Sequence, residues 1–418
     1  MELFGLPDWI VLTGTVCVLV YLYASWNRNY WKNQNVVSEP FSFPFGATFK
    51  LLFKPMCQLD SERYKRYGRV FGTFEMGNAV LFVGEAKLVE QILVEDFPSL
   101  PNRRTLTFND PVLDNMMSMT PFERWRKIRM PVAQAFSTEN VKKMHSLIED
   151  CALITVDHLK KAAFTEEDID AKKFFGSYTL DVIARCVFAT RIDSHLDGKS
   201  EFVKRSRQAP SGRLTPRIFV YFLFPFIARA TGLRPLSPSV LEYFRRFSQN
   251  VIISTQKEEP GGHPSLEAVT KLKYLHCVIS ESLRMCPPVS RLERVPCCDY
   301  TLGDKGVKVK KGDLITIPVY AMHHDPLYFP DPMSFKPERF NEENVSSIVP
   351  YSYLPFGGGP RNCVALRFAL LAVNLAVLHT IRNVEVVRTE KTKVPLQFKK
   401  GFGLLTAKDI VLGVRPRQ

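Results

Sequence analysis

One stretch, Phe356-Gly357-Gly358-Gly359-Pro360-Arg361-Asn362-Cys363, constrains this chain more than any other. It sets a single cysteine behind a glycine-rich loop and just ahead of an apolar helical run, Leu366 to Leu378. A sulfur at that place lies at the positive end of a helix, where free backbone N–H groups favour thiolate over thiol. The three glycines let the backbone come close to a flat group, and Phe356 can cover the buried side of the sulfur. Arg361 offers a planar donor fork for a carboxylate. A lone cysteine is most simply a small buried hydrophobe. The segment as a whole instead suits a haem iron held by the Cys363 thiolate, with Arg361 on a haem propionate.

A chain of 418 residues, 45% of them hydrophobic, can bury a large core. Lysine and arginine number 56 against 42 acidic residues, a net charge of +14. Such a balance suits anionic lipid headgroups or an acidic protein partner, and equally a plainly solvated surface. No basic helix, zinc-finger spacing or aromatic RNA-binding motif accompanies it, so nucleic acid is not an expected partner. The nine cysteines lack framework spacing, which points to a reducing compartment. The adjacent Cys297 and Cys298 read as incidental.

Trp9 to Trp26 carries no charge and is mostly apolar. Its 18 residues, rising 1.5 Å each, span roughly 27 Å, about the hydrocarbon thickness of the endoplasmic reticulum membrane. Trp9 marks one interface; Tyr21, Tyr23, Trp26 and Trp31 mark the other. Glu2 and Asp8 precede the span and Arg28 and Lys32 follow it, so the positive-inside rule places the bulk of the chain in the cytosol. The rival, a cleaved signal peptide, needs a basic start and a small-residue cleavage site, and neither is present. The expectation is an uncleaved single-pass anchor with its basic flank over 1–32, a Pro/Phe-rich linker over 33–55, and one domain over 56–418.

Within that domain a helix is expected near Met56 to Tyr67, then strands at Val70 to Glu75 and Ala79 to Val83. Thr120-Pro121-Phe122-Glu123 reads as a helix start with a capping threonine. Trp125 and Arg129, four residues apart, then share one helical face. Glu281 and Arg284 do the same on a later helix, and Arg291 to Val295 reads as a strand. Arg217 to Ala230, with five aromatic residues, is either core or a surface that meets the bilayer. A helix is also expected from Ser237-Pro238 through Phe244, Phe247 and Val251.

The Phe356–Cys363 stretch resembles the haem-binding signature of the cytochrome P450 family, Phe-x-x-Gly-x-Arg-x-Cys-x-Gly, at Phe356, Gly359, Arg361 and Cys363. Ala365 stands where the family has its last glycine. Further resemblances are Trp125-Arg126-Lys127-Ile128-Arg129 to the family's Trp-Arg-x-x-Arg, Glu281-Ser282-Leu283-Arg284 to its Glu-x-x-Arg, and Pro337-Glu338-Arg339-Phe340 to its second arginine motif. The proline-rich Asp325 to Pro332 is similar to the approach to that motif. The likeness runs from the anchor to the C-terminus and is nearest to the animal microsomal branch. It implies a mainly α fold with small β-sheets (α+β) and haem b with Cys363 as its iron ligand. It also implies Arg103, Trp125, Arg129, Arg294 and Arg361 as propionate contacts, and Glu281, Arg284 and Arg339 as a structural ion-pair cluster behind the haem. The implied activity is insertion of one oxygen atom from O2 into a lipophilic substrate such as a steroid, fatty acid or xenobiotic. Electrons would come from an NADPH-dependent reductase at the endoplasmic reticulum membrane. Pocket positions carried over in the same way are Phe108 to Met119, Val289, Ser290, Leu404 and Leu405.

The likeness has a gap. Between the helix expected to end near Lys257 and the one expected near Ser265 lies only Glu258-Glu259-Pro260-Gly261-Gly262-His263-Pro264. The family places there a long helix across the distal face of the haem, bearing Ala/Gly-Gly-x-Asp/Glu-Thr, and this chain nowhere carries that pattern. Roughly 80 residues are missing against the family's usual length. The acid–threonine pair delivers protons to bound dioxygen, and general acid positioning is typically worth about 10²–10⁴-fold. Without it, oxygen reduction is expected to leak peroxide or superoxide. A central helix also buries about a dozen apolar side chains at roughly 1.5–3 kcal/mol each, against a net stability of about 5–15 kcal/mol. The alternative function is therefore a catalytically inactive, internally truncated isoform. A membrane-tethered interaction protein without a cofactor would leave the Cys363 loop unexplained.

Overall fold

β-Branched and aromatic residues at Val70–Glu75 (β1) and Asn78–Val83 (β2) pair antiparallel and begin the main sheet of the protein, described here from a computed structural model. The described residues are 7–25, 29–40, 50–51, 53–75, 78–105, 110, 113–196, 201–208, 230–231, 242–243, 246, 273–304, 306–401 and 404–417. The apolar stretch 217–229, the helix expected from Ser237 and the shortened junction Glu258–Pro264 lie outside them, as do Trp26, Arg28 and Phe108.

Two helices precede the sheet: α1 (Asp8–Ser25) and α2 (Met56–Tyr67). After β2 come α3 (Ala86–Glu90), a π turn at Gln91–Glu95, α4 (Phe122–Ala135), α5 (Thr138–Phe164), β3 (Ile169–Asp170), α6 (Ala171–Phe188) and α7 (Glu201–Gln208). The second half holds α8 (Lys273–Met285), β4 (Leu292–Arg294), β5 (Tyr300–Leu302), β6 (Val307–Val309), β7 (Leu314–Ile317) and α9 (Val319–His323). It closes with α10 (Leu366–Asn383), β8 (Val384–Val387) and β9 (Val411–Pro416). The main sheet runs β1-β2-β7-β4; β2 and β7 are parallel and the other neighbours antiparallel. Smaller sheets join β3-β9-β8 and β5-β6. This is the expected helix-rich α+β architecture.

One core lies on the main sheet, where Leu81, Val83, Ile315 and Ile317 meet Met322 and Phe329. A second fills the space between α5, α6 and α10 with Ile148, Cys151, Tyr178, Leu371 and Leu375. Tyr178 also donates from its hydroxyl to the Ala372 carbonyl at 2.7 Å, tying α6 to α10. Trp31 belongs to the first core and not to a membrane interface, correcting its sequence reading. Its ring is fully buried, its Nε1 donates to the Thr73 carbonyl at 2.9 Å, and it lies over Gly72, where a Cβ would stand 2.3 Å from the ring. The apolar side chains of α1, among them Trp9, Leu12, Val16 and Leu19, are exposed. Among the described residues no helix is long and apolar enough to cross a membrane, so the expected anchor is not shown.

The predicted ion-pair cluster is in place. Arg284 on α8 donates to both carboxylate oxygens of Glu281, at 2.7 and 2.8 Å, and both side chains are completely buried. Its remaining nitrogen Nη1 reaches the His323 carbonyl at 2.7 Å. Glu281 also accepts from the Lys336 backbone at 2.9 Å, with Arg339 Nε 3.5 Å away. A buried pair persists when further hydrogen bonds meet its spare donors and lone pairs, and the carbonyls of His323 and Ser334 and the Lys336 N–H do so here. His323 closes the arrangement: the Leu354 N–H donates to its Nε2 at 2.8 Å and its Nδ1 donates to the Arg284 carbonyl at 3.0 Å. That tautomer is neutral, and burial pushes the imidazole down from 6.5 to about 3. A folded-state pKa below the unfolded one gives stability that is complete above about 6.5 and is lost as pH falls toward 3. Denaturant unfolding followed from neutral pH to about pH 4 should therefore show a steeper loss in the wild type than in a His323→Gln variant. Equal slopes would contradict the assignment.

Candidate functional site

The loop carrying Cys363 is held from below and from both sides. Gly357 and Gly359 adopt φ of +75° and +68°, conformations that L side chains rarely take. At Gly359 a Cβ would lie 2.0 Å from the Leu93 carbonyl oxygen, so the loop lies directly on the π turn at Gln91–Glu95. The Asn362 N–H donates to Gly359 at 3.1 Å and the Cys363 N–H to Phe356 at 2.9 Å, folding the loop back on itself. Cys363 is half-buried with a free thiol, three residues ahead of α10, whose first turn has no side-chain cap. The expected geometry of a sulfur before a helix N-terminus is present.

Around this loop the structure gathers the expected arginines. Arg129 on α4 donates from Nη1 to the Asn362 carbonyl at 2.8 Å and from Nη2 to its Oδ1 at 2.9 Å. Trp125, one turn earlier and buried, lies under the Arg361 guanidinium at 4.6 Å. Arg103 Nη2 donates to the Arg361 carbonyl at 2.7 Å, and Arg361 Nη2 to the Thr120 carbonyl at 3.2 Å. Arg294 on β4 reaches only its neighbour's carbonyl, Glu293, at 2.8 Å. Phe356 supplies its backbone carbonyl to Cys363 and is half-buried.

These cations lack counter-ions. Six arginines are buried among the described residues: Arg63, Arg185, Arg284 and Arg291 each meet a carboxylate, whereas Arg294 and Arg361 meet none. The Nε of Arg294 and the Nε and Nη1 of Arg361 have no hydrogen-bond partner at all. Burial, with the like charges of Arg103 and Arg361, pushes Arg294 down to about 9. Burial, with Arg103, pushes Arg361 down to about 10. Burial likewise lowers Arg103 and Arg129, with the Cys363 sulfur opposing it in both. A buried guanidinium with open donors is costly unless an anion completes it. Two carboxylates entering beside Cys363 would do so, and a haem with its two propionates fits that demand.

Some supporting residues were not visible in advance. Thr120 does not cap α4: the helix begins at Phe122, and the Asn102 side chain accepts the Phe122 N–H at 2.9 Å instead. With the cap position shifted to Pro121, Thr120 serves through its carbonyl, on Arg361. Asn362 was hidden because its role depends on a loop conformation and not on spacing. Val289 bridges Leu404, and the Leu405 N–H donates to the Pro288 carbonyl at 2.8 Å, which brings Val289, Leu404 and Leu405 together. A cavity of about 930 Å³ between α2, α9 and the hairpin at Phe398 contains none of the site residues.

Comparison with known proteins is consistent with this geometry. Residues 39–259 and 237–412 match the family described as Cytochrome P450. The chain is 28% identical to Cytochrome P450 3A2 of Rattus norvegicus over 496 aligned positions, covering 99% of this chain and 97% of the relative. It is 26% identical to Cytochrome P450 3A16 of Mus musculus over 491 positions (98% and 97% covered). It is 27% identical to Cytochrome P450 3A12 of Canis lupus familiaris over 497 positions (99% and 97% covered). Alignments of 491 to 497 positions against 418 residues, with both partners almost fully covered, make the shortfall internal. The two matched pieces of the family hand over between 237 and 259, beside the junction at Glu258–Pro264.

The close approach at Gly359 leads to a direct test. Gly359→Ala drives a Cβ into backbone at a positive φ and should destabilise the protein by about 1–3 kcal/mol. Gly358→Ala, whose new Cβ would meet a movable Leu93 methyl at 3.2 Å, should cost clearly less. Thermal unfolding of the two variants side by side decides it; equal losses would mean that the loop does not rest on Leu93.

Proposed function

The chain belongs to the cytochrome P450 family, and we propose that it is a haem-thiolate protein of the monooxygenase type, anchored by α1 to the endoplasmic reticulum membrane with its domain in the cytosol. The observation that carries this reading is the pair of buried guanidinium groups, Arg294 and Arg361, that meet no carboxylate among the described residues and keep open donors beside the free thiol of Cys363. Cys363 would be the iron ligand, and Arg103, Arg294 and Arg361 would hold the propionates. Arg129 keeps the loop in place through Asn362, and Trp125 supports Arg361 from beneath. A thiolate-ligated haem supplies the electron-rich centre that favours O–O cleavage. Val289, Ser290, Leu404 and Leu405 would line the lipophilic substrate's side, and an NADPH-dependent reductase would deliver electrons. The exposed apolar residues of α1 support the membrane attachment.

A second reading, a non-catalytic family member, is favoured by one observation: the internal shortfall removes the acid–threonine helix, and no other stretch carries its pattern. The described residues around Cys363 would serve the side of the cofactor that faces the sulfur, and the sequence carries no acid–threonine pattern to supply a proton on the opposite side. Reconstitution of the full chain with a reductase, NADPH and a fluorogenic alkoxycoumarin separates the two readings. Dealkylated product above a Cys363→Ala control supports the monooxygenase. NADPH consumption that appears as hydrogen peroxide without product, in a haem-loaded chain, supports the non-catalytic reading. A chain that takes up no haem overturns the monooxygenase and leaves the non-catalytic reading standing.

A further inference from the structure

Arg104, next to a residue of the cationic cluster, faces away from it into a network of ion pairs. Its Nη2 donates to Glu75 on β1 and to Glu293 on β4, both at 2.8 Å, and its Nε reaches Glu293 at 3.2 Å. Glu75 accepts from Arg291 at 2.7 Å, Arg291 also binds both oxygens of Asp60, and Asp60 and Glu39 hold Arg63. With Lys50 also on Glu39, four carboxylates meet four cations on this side of the sheet.

Register explains why the two sides differ. Asn102 pairs antiparallel with Val295, whose N–H donates to the Asn102 carbonyl at 2.9 Å. Continuing that register by one residue sets Arg103 opposite Arg294, and by two sets Arg104 opposite Glu293. Successive residues of an extended segment point to opposite faces. One face therefore opposes two like charges, Arg103 and Arg294, with Arg361 close by. Like charges directly opposite one another are destabilising in a cross-strand pair. The other face opposes Arg104 and Glu293 in a two-point ion pair that extends to β1.

We propose that Arg104 is a positioning residue for the cofactor: its clamp on Glu293 and Glu75 holds the 102–104 segment against β4, so that Arg103 and Arg294 stand ready side by side for the haem carboxylates. This rests on the haem reading above. It makes the cation pair preorganised, with the opposite face of the same segment holding it in place until the cofactor's carboxylates complete it.

The test uses haem and haem dimethyl ester, in which neutral esters replace both carboxylates, titrated into the haem-free full chain and followed by absorbance. Wild type should bind haem more tightly than the diester. Arg104→Met should lose about tenfold in affinity for haem, as removal of an outer partner commonly does, and leave the diester almost unaffected. Glu293→Gln, which keeps shape and removes one anchor, should shrink the haem-to-diester ratio in the same direction. In the Arg104→Met background it should add little, because both act through one link. Arg104→Lys, a single point charge without the fork, should recover part of the loss. Far-UV circular dichroism checks that each variant is folded; if Arg104→Met is not, Glu293→Gln carries the test. Equal weakening of haem and diester would show a merely structural role and overturn the proposal, as would unchanged affinity for both. Failure of the wild type to bind either ligand would overturn the haem reading together with this one.

Discussion

Unmatched charge at the Cys363 loop is the constraint around which the rest of this structure is arranged. Among the other described residues each buried guanidinium meets a carboxylate: Arg284 with Glu281, Arg291 with Asp60 and Glu75, Arg63 with Glu39, Arg185 with Asp150. A buried charge left alone is among the most destabilising features a fold can carry. Arg294 and Arg361 are left in that condition side by side, which is intelligible when an anionic group of fixed shape completes the fold. The neighbouring elements hold the unfavourable arrangement in place. Trp125 lies under Arg361, Arg129 fastens Asn362, and the π turn at Gln91–Glu95 fixes the loop's path through Gly359.

Behind this front stands a neutral ion-pair lattice that joins α2, β1, β4 and the segment after Leu100. Its pairs Arg291–Asp60, Arg291–Glu75 and Arg104–Glu293 lie far apart in sequence and tie the two halves of the chain on either side of the shortened junction. Burial alone would lower Arg291, yet the charges of Asp60 and Glu75 raise it; the same balance, with Glu293 and Glu75, raises Arg104. The Glu281–Arg284 pair and His323 do comparable work behind the loop. The proximal half of the site is therefore built from contacts that do not use the absent helix.

Much of this was legible in the amino-acid order because it is local. The spacing of Phe356, Gly359, Arg361 and Cys363 encodes a loop that folds on itself, and Trp125 and Arg129 reach a common target because four residues make about one helical turn. The extents of β1 and α2 follow from periodicity and from the residues that flank them. What the order concealed was long-range. Arg104 meets Glu75 and Glu293 only through sheet register, and Asn102 caps α4 from 20 residues away. Trp31, beside an apolar run, looked like an interfacial anchor, but the small residue Gly72 makes room for it in the core.

The central claim is that Cys363 and its arginines form a complete cofactor cradle despite the internal shortfall. The carbon monoxide difference spectrum of the reduced full chain in microsomal membranes tests this most directly. A strong red-shifted Soret band of the thiolate–carbonyl type is expected, and it disappears in Cys363→Ala. No band, or a band at the position of histidine-ligated haem, would contradict it.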